Sequence, residues 1–413
     1  MKVLLITWTC DIEDVSEPEI VSKWVREISK DHEVTLFSVS RPDRYGCVKE
    51  QFPELDVIEW KDISVPKKLE KFRSVAKPGY IPYYFKARRF LRKLLTTTHF
   101  DVVHHITPLA WRFPTPAGGL GVPLIRGPIE GGLPTPPQLK NTTDSDAPLY
   151  YKLRNLDALR KYLDPVLISS FKKTDRVLFA AQYVQDVLKP LKINSYSLES
   201  DHGLLEAQIR PFSFHKRETN RKAVEFLFVG RIVRTKGLRD AIAGLAKSQF
   251  LDRVHFTVIG DGDDLQACKA LAQTLTINHK IDFKGWQEKP AVEKAYQEAD
   301  VFLFPSFREP TGGVLLEAMS HSLPIISCKY GGPEYFVKDN TGILIDPSEE
   351  ESYSQNIAAA IDEMVSNEDL RMSRAKAAWM RATHEFSWKQ KRIRLSDLYK
   401  QVAQSYNNHS HHK

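Results

Sequence analysis

Two glutamates separated by seven residues follow an apolar run, and their carboxylates could bind a hydroxylated ligand. The run Val301–Phe304 leads into a loop with Glu309, then Gly312-Gly313, then Glu317. A helix that begins at the glycines presents free N–H groups that can bind a diphosphate. The carboxylate of Glu317, about one turn into that helix, can accept two hydrogen bonds from a cis-diol such as ribose. A single glutamate on a helix is usually only a solvated surface residue; the paired arrangement after a buried strand favours a site.

A second apolar run, Val224–Val229, leads into a glycine turn that carries cations. Gly230-Arg231 follows at once, and Lys236-Gly237 comes five residues later. Two cations at the mouth of such a turn can neutralise the charge that develops on a departing nucleoside diphosphate. Either residue alone would more simply be a surface cation.

The elements that must position these residues alternate along the whole chain. Short apolar runs separated by helical stretches predict α/β structure with parallel sheets. The predicted strands are 3–7, 34–39, 101–104, 123–125 and 176–179, then 224–229, 254–259, 281–283, 301–304, 324–327 and 343–345. Segments 61–97 and 106–148 are predicted to be mostly loops. The pattern predicts two Rossmann-like, doubly wound domains facing an interdomain cleft, with ligands at the carboxyl ends of the strands.

The change in composition near residue 205 sets the predicted domain boundaries. We expect an N-terminal Rossmann-like domain over 1–205 and a C-terminal Rossmann-like domain over 206–385. A helix over 386–405 is predicted to cross back to the first domain, and 406–413 to be a disordered tail.

Composition narrows the class of protein further. The 413 residues carry a net charge of +7 and a sequence pI near 9.0, which favours anionic partners, although a mixed solvated surface explains the same balance. The four cysteines lack metal-ligand spacing and are typical of reduced thiols. The first apolar run is too short for a signal sequence, so we expect a cytoplasmic protein. A dehydrogenase is disfavoured because no G-x-G-x-x-G follows the first strand.

The pattern from Glu309 to Glu317 resembles the E-x7-E motif of the retaining glycosyltransferases of family 4, which have the GT-B fold. Other segments over residues 224–400 resemble that family's loops in the same order. They are Gly230-Arg231 with Lys236-Gly237, Ile259-Gly260-Asp261-Gly262, Phe283-Lys284-Gly285-Trp286, Gly331-Gly332-Pro333-Glu334, Gly342-Ile343-Leu344 and Phe386-Ser387-Trp388.

The resemblance implies that 1–205 is the acceptor domain and 206–385 the nucleotide-sugar donor domain. It also implies a role for each matched residue. Glu309 would lie near the sugar hydroxyls and the reacting centre, with Arg231 and Lys236 on the diphosphate as the other catalytic residues. The implied donor-binding residues are Glu317 on the ribose and Thr311, Gly312, Gly313, Gly230, Gly260, Trp286 and His202. Such enzymes need neither a metal nor a cofactor beyond the UDP- or GDP-sugar donor. The acceptor attacks the face from which the diphosphate leaves, and no side-chain nucleophile is required.

The first domain resembles the family less closely. Asp101–Pro108 and the segment Arg126–Gly132 are similar to a subgroup's strand end and its G-P-x-G-G loop, with Glu130 where glycine is expected. Possible acceptor-side residues are His104, Glu130 and Gly131, although a histidine at a strand end is about as often a hydrogen-bonded core residue.

A basic and aromatic stretch, 80–93, is typical of an amphipathic helix that lies on an anionic bilayer, and equally of a solvated helix with an aromatic core side. The first interpretation predicts peripheral contact with the inner face of a membrane.

Taken together, the sequence predicts a metal-independent retaining glycosyltransferase that moves a hexose-type sugar from a nucleotide sugar to a glycan, lipid-linked or small-molecule acceptor, in surface polysaccharide or glycoconjugate synthesis. The alternatives are a GT-B sugar-nucleotide epimerase and a non-catalytic nucleotide-binding protein. Nucleic acid is disfavoured as a partner, because the paired glutamates would repel a phosphate backbone.

Overall fold

The chain folds into two units, each built on its own parallel sheet. The computed structural model describes residues 1–40, 47–62, 77–142, 157–193, 195–213 and 223–410. The first unit comprises 1–132, 149–201 and 392–413, and the second comprises 133–148 and 202–391. The expected class, two Rossmann-like doubly wound domains of the GT-B type, is confirmed.

The first unit is organised around a seven-stranded sheet in the order β3-β2-β1-β4-β5-β6-β7. Its strands are β1 (Lys2–Ile6), β2 (Glu33–Ser40), β3 (Asp56–Lys61), β4 (Val102–His105), β5 (Leu124–Ile129), β6 (Arg176–Phe179) and β7 (Tyr196–Leu198). The central strand β1 pairs in parallel with both β2 and β4, so that Leu5 lies between Leu36 and His104. Strands buried on both faces explain the nearly continuous apolar runs in this part of the sequence.

Helices α1 (Glu17–Ile28), α2 (Val48–Gln51), α3 (Tyr80–Thr97), α4 (Asp157–Leu163), α5 (Pro165–Lys172) and α6 (Tyr183–Leu188) connect these strands. The expectation of loops over 61–97 is wrong for residues 80–97, which form α3 and bury Tyr80, Tyr83, Ala87 and Leu91. Residues 63–76 and 143–148, which the same expectation covered, lie outside the described residues.

The second unit has a six-stranded parallel sheet in the order β10-β9-β8-β11-β12-β13. Its strands are β8 (Val224–Val229), β9 (Val254–Ile259), β10 (Ile281–Gly285), β11 (Val301–Phe304), β12 (Ile325–Cys328) and β13 (Gly342–Ile345). Its helices are α7 (Leu238–Lys247), α8 (Leu265–Thr274), α9 (Lys289–Glu298), α10 (Gly313–Ser320) and α11 (Pro333–Phe336). Phe226 of β8 pairs with Phe256 of β9 and with Val301 of β11, in the centre of one hydrophobic core.

Three long helices close the chain: α12 (Glu350–Ser366), α13 (Glu368–Glu385) and α14 (Trp388–Ser410). Helix α14 begins in the second unit, and its residues from Arg392 belong to the first. The helix continues to Ser410, whereas the sequence predicted a disordered tail from residue 406. Among the described residues, no helix is long and apolar enough to cross a membrane.

Candidate active site

The predicted donor residues lie where the strand order in the second unit's sheet reverses. Strands β8 and β11 are neighbours, yet the chain winds away from them toward opposite edges of the sheet. In doubly wound sheets the loops that leave such a pair open a crevice at the carboxyl ends of the strands. The loop after β8 carries Arg231 and Lys236, and the loop after β11 carries Glu309.

An ion pair joins these two loops. Lys236 Nζ lies 2.5 Å from Glu309 Oε2, with both side chains largely buried. The ammonium also lies 5.5 Å from the centre of the Phe304 ring. Beside the pair, Ser306 Oγ and Phe307 N donate to the carbonyl of Thr235 at 3.1 and 3.2 Å. These bonds hold the two loops together, so that the cation and the carboxylate meet at a defined place.

The other oxygen of Glu309 reaches the start of helix α10. Gly312 N donates to Glu309 Oε1 at 3.2 Å, and Gly312 has φ +85°, a conformation that favours glycine. The first N–H groups of α10, at Gly313 and Val314, have no partner within the helix. The helix therefore begins beside Glu309 with the polarity that binds an anion.

Gly313 brings His202 against this helix start. A Cβ added at Gly313 would lie 2.6–2.8 Å from three atoms of the His202 ring, so the ring rests on the first turn of α10. The carbonyl of His202 accepts a hydrogen bond from Lys391 Nζ at 2.8 Å. The predicted donor residue His202 is therefore beside the proposed diphosphate position.

A second glycine pair packs behind Glu309. Gly332 N donates to the carbonyl of Glu309 at 2.8 Å, and a Cβ at Gly332 would lie 2.6 Å from the backbone of the buried Thr311. The backbone of Thr311 therefore packs directly against Gly332. The close approach explains why glycine stands at 332.

Glu317 lies on the exposed side of α10, as the sequence predicted for a residue that meets a ligand. The buried Tyr296 hydroxyl lies 3.4 Å from Glu317 Oε2. Burial, and secondly the Glu317 charge, raise the pKa of Tyr296 well above its usual value, so the tyrosine remains a neutral donor. Tyr296 is a residue that sequence reasoning missed; its place on α9 gave no motif to recognise it.

The two neighbouring cations of the β8 loop have different environments. Arg234 forms an ion pair with Asp240 at 2.5 Å and lies 5.2 Å from the Phe307 ring centre, so it stabilises the loop itself. Arg231 is exposed, and within the described part of the chain it forms no ion pair. Arg231 is accordingly the cation that is available to a ligand.

The remaining predicted donor residues follow the adjacent strands. Gly230 N donates to the carbonyl of Ile259 at 3.0 Å, and Gly260 N donates to that of Gly285 at 2.8 Å, which links the ends of β8, β9 and β10. Trp286 comes next and is 70% exposed, an unusual exposure for so large an apolar side chain. An exposed indole at a strand end is suited to stacking on a flat base.

The structure does not support His104 as an acceptor-side residue. His104 is fully buried in the first unit, where Nδ1 lies 2.7 Å from the Tyr399 hydroxyl and Nε2 lies 2.7 Å from the carbonyl of Gly127. Burial lowers its pKa to about 4. Both ring nitrogens are engaged, so His104 is a hydrogen-bonded core histidine.

Glu130 and Gly131 remain at the surface edge of the same unit. Glu130 N donates to the carbonyl of Leu109 at 2.9 Å, and Gly131 N donates to the Tyr183 hydroxyl at 3.1 Å. Both residues follow β5 and are partly accessible. Their acceptor role stays a prediction.

Comparisons with known proteins address the class of this site. Residues 210–379 match the family model of the glycosyl transferases group 1. The lipopolysaccharide core biosynthesis glycosyltransferase LpsE of Rhizobium meliloti is 28% identical over 246 residues, which cover 58% of this chain and 67% of that protein. Three further curated relatives are matched over only 41%, 44% and 47% of their own length.

Solved structures extend the likeness in fold to the whole chain. Sucrose-phosphate synthase from Thermosynechococcus elongatus has a TM-score of 0.65 at 16% identity, covering 98% of this chain and 99% of that one. Anabaena HepE in complex with UDP has a TM-score of 0.63 at 15% identity, covering 97% and 100%. The family model therefore matches only residues 210–379, and together with the GT-B fold shared with the solved structures it supports a glycosyltransferase.

Proposed function

We propose that the chain is a retaining, metal-independent glycosyltransferase that uses a UDP- or GDP-hexose. The observation that carries the proposal is the Lys236–Glu309 pair beside the start of α10. The pair lies between the loops that follow β8 and β11, where the strand order reverses. The cation and the first N–H groups of α10 suit a diphosphate, and the carboxylate suits the hydroxyl groups of a sugar. Anabaena HepE, which shares this fold, binds UDP.

Each part of the donor has a proposed partner. The diphosphate takes the first N–H groups of α10, with Arg231 and Lys236. The ribose diol bonds to Glu317, and the base stacks on Trp286. Glu309 faces the sugar hydroxyls, where its carboxylate accepts their hydrogen bonds.

The proposed reaction needs no covalent enzyme intermediate. The bond between the anomeric carbon and the phosphate oxygen breaks, and its electron pair stays on the diphosphate. The acceptor hydroxyl forms the new bond on the same face and passes its proton to the departing phosphate oxygen. Arg231, Lys236 and the helix start stabilise the negative charge that develops on the diphosphate.

The acceptor is proposed to be a glycan, a lipid-linked glycan or a small hydroxylated molecule, in surface polysaccharide or glycoconjugate synthesis. LpsE, whose name refers to lipopolysaccharide core biosynthesis, supports a glycan acceptor of this class. We also propose that the protein makes peripheral contact with the inner face of a membrane.

A panel of UDP- and GDP-sugars, scored by thermal shift and by released UDP or GDP, tests the proposal. We expect one nucleotide sugar to stabilise the wild-type chain and to be consumed faster when an acceptor is present. Release without a new glycoside would instead identify an epimerase or hydrolase, and no binding by any sugar nucleotide would refute the proposal.

The ribose assignment has its own test. Glu317→Ala should weaken nucleotide binding about 10- to 100-fold, because hydrogen bonds to a charged group are lost. Glu363→Ala, which removes an exposed helical glutamate paired with Arg374, is the matched control and should bind like the wild type. Unchanged affinity of Glu317→Ala would show that the ribose lies elsewhere.

A further inference from the structure

Helix α3 presents cations and large apolar side chains to solvent on the same side. Ile81 and Phe85 are 69% and 61% exposed, and Arg89, Arg92 and Lys93 are exposed on the adjoining face. The helix contains five cations and no acidic residue. Within the described residues, these three exposed cations make no ion pair. Such a helix has the composition of one that lies in a membrane interface.

A second apolar stripe lies on α4 and the start of α5. Leu159, Tyr162 and Leu163 follow the i, i+3, i+4 spacing that normally marks a core-facing side, yet all three are exposed, Leu163 by 73%, and so is Val166 in α5. No residue of α4 is buried. An exposed apolar stripe of this kind indicates an interaction surface.

Contacts within the first unit link α3 to α5 through one connecting segment. Arg88 of α3 donates to the carbonyls of Pro116 and Gly118 at 3.0 and 2.8 Å, while Thr115 N donates to Ser170 Oγ of α5 at 2.8 Å. The segment 114–118 therefore connects α3 to α5.

The exposed side chains of α3 form one face, called here the basic-apolar face (Ile81 and Phe85 with Arg89, Arg92 and Lys93). It lies opposite the buried Tyr83 and Ala87 of the same helix.

We propose that the basic-apolar face docks on an anionic lipid bilayer, with the apolar side chains in the headgroup boundary and the cations on lipid phosphates. Charge complementarity selects this occupant, because α3 carries cations alone beside its apolar residues. The inference rests on the proposed function in one respect: it selects, among the proposed acceptors, one that is anchored in the membrane.

Vesicle co-sedimentation of the full chain tests the docking. We expect binding to vesicles of phosphatidylcholine mixed with phosphatidylglycerol, weak binding to pure phosphatidylcholine, and a loss of affinity as salt rises. Arg89→Glu with Arg92→Glu changes the local charge by four, at about fivefold per charge, and should weaken binding several-hundredfold. The control Lys376→Glu with Lys389→Glu makes the same change in net charge on exposed residues of the second unit and should bind like the wild type.

The apolar part has a separate variant. Ile81→Ser with Phe85→Ser should lower vesicle affinity at least about tenfold and leave the salt dependence in place. Wild type that ignores anionic vesicles, or a charge-reversed variant that binds them normally, would overturn the proposal. A dimer that the apolar variant dissociates in sedimentation velocity, without vesicle binding, would overturn it in favour of a second copy of this chain.

Donor binding separates this inference from the proposed function. The charge-reversed variant should keep the wild-type thermal shift with its nucleotide sugar, because the donor residues lie in the second unit. Vesicle binding without any nucleotide-sugar binding would refute the transferase proposal and leave the docking surface standing; the reverse result would refute only the docking.

Discussion

Each carboxylate oxygen of Glu309 has its own partner in the structure. Oε2 pairs with Lys236 at 2.5 Å, and Oε1 accepts from Gly312 N at 3.2 Å. A diphosphate that approaches Lys236 would compete with Glu309 for the same ammonium. In the proposed reaction, therefore, donor binding exchanges one anionic partner of Lys236 for another and releases the carboxylate toward the sugar.

Breaking this pair should cost stability in a recognisable pattern. Lys236→Met leaves the largely buried Glu309 carboxylate without its cation, and we expect the free energy of unfolding to fall by about 3 kcal/mol. Urea denaturation without ligand measures the loss. The double variant Lys236→Met with Glu309→Gln should lose less than the sum of the two single changes, because no unpaired charge remains.

A second readout distinguishes the pair from a general loss of packing. Glu309→Gln keeps the size of the side chain but leaves the largely buried Lys236 ammonium without its anion, so the free energy of unfolding should also fall, by about 3 kcal/mol, while sugar transfer falls. Additive losses in the double variant would mean that the contact between Lys236 and Glu309 contributes no coupling free energy to stability.

At this scale the sequence predicted the donor residues better than the others. Glu309 and Lys236 stand beside glycines whose spacing carries a physical reason, and the two side chains do meet. His104 has no such local signature. Its partner Tyr399 is 295 positions away, so only the folded chain reveals that both of its nitrogens are occupied.

The same element recurs twice in the second unit: a buried strand, a glycine turn and a helix. Gly237 before α7 and Gly313 in α10 occupy these turns, but their surroundings differ. A Cβ at Gly237 would meet the carbonyl oxygen of Pro305 at 2.1 Å, and its φ is +76°. A Cβ at Gly313 would meet the outer atoms of the His202 ring, a side chain that can turn away.

The two glycines should therefore respond differently to the same substitution. Gly237→Ala forces backbone against backbone and should destabilise the chain by about 2 kcal/mol or more. Gly313→Ala should cost less than about 1 kcal/mol, because displacing one ring relieves the contact. Thermal unfolding compares the two variants directly.

Nucleotide binding gives the converse ranking. In Gly313→Ala the displaced His202 ring and the added methyl group lie at the proposed diphosphate position, so affinity should fall although the fold survives. His202→Ala in the same background relieves the crowding and should restore stability. Equal destabilisation by Gly237→Ala and Gly313→Ala would contradict this account of the two turns.

Elements were predictable where one pattern dominated. Strands β8, β9 and β11 match the predicted bounds because each is a short apolar run closed by glycine, aspartate or proline. Strand β3 was missed because Asp56–Lys61 alternates charged with apolar residues at a sheet edge, and β7 has only three residues. Helix α3 was assigned in part to a loop because its glycine-proline entry and many cations obscured its buried side.

On the scale of the whole molecule, the chain returns at its end to complete the first unit. The residues of α14 from Arg392 onward belong with 1–132 and 149–201. Tyr399 of this returning helix is fully buried and bonds to His104, while His32 Nε2 lies 2.9 Å from Ser396 Oγ. The first unit thus depends on residues encoded at the opposite end of the sequence. The sequence predicted the returning helix but not its buried contact with His104.

This contact should make stability depend on pH in a specific window. Burial lowers the pKa of His104 to about 4, against about 6.5 in an unfolded chain. Between these values the unfolded state binds more protons than the folded state, so stability falls as pH falls. From pH 7.5 to pH 5, His104 alone should remove about 2 kcal/mol of the free energy of unfolding, and the loss should approach about 3 kcal/mol near pH 4.

The variant His104→Gln isolates this contribution, because glutamine retains a donor and an acceptor but does not titrate. Urea denaturation at pH 7.5 and pH 5 should show a smaller acid-induced loss in His104→Gln than in the wild type, by about 2 kcal/mol. His99→Gln removes a histidine that is 84% exposed and should leave the wild-type pH dependence intact. If wild type and His104→Gln lost equal stability over this range, His104 would not be buried as a neutral ring beneath the returning helix.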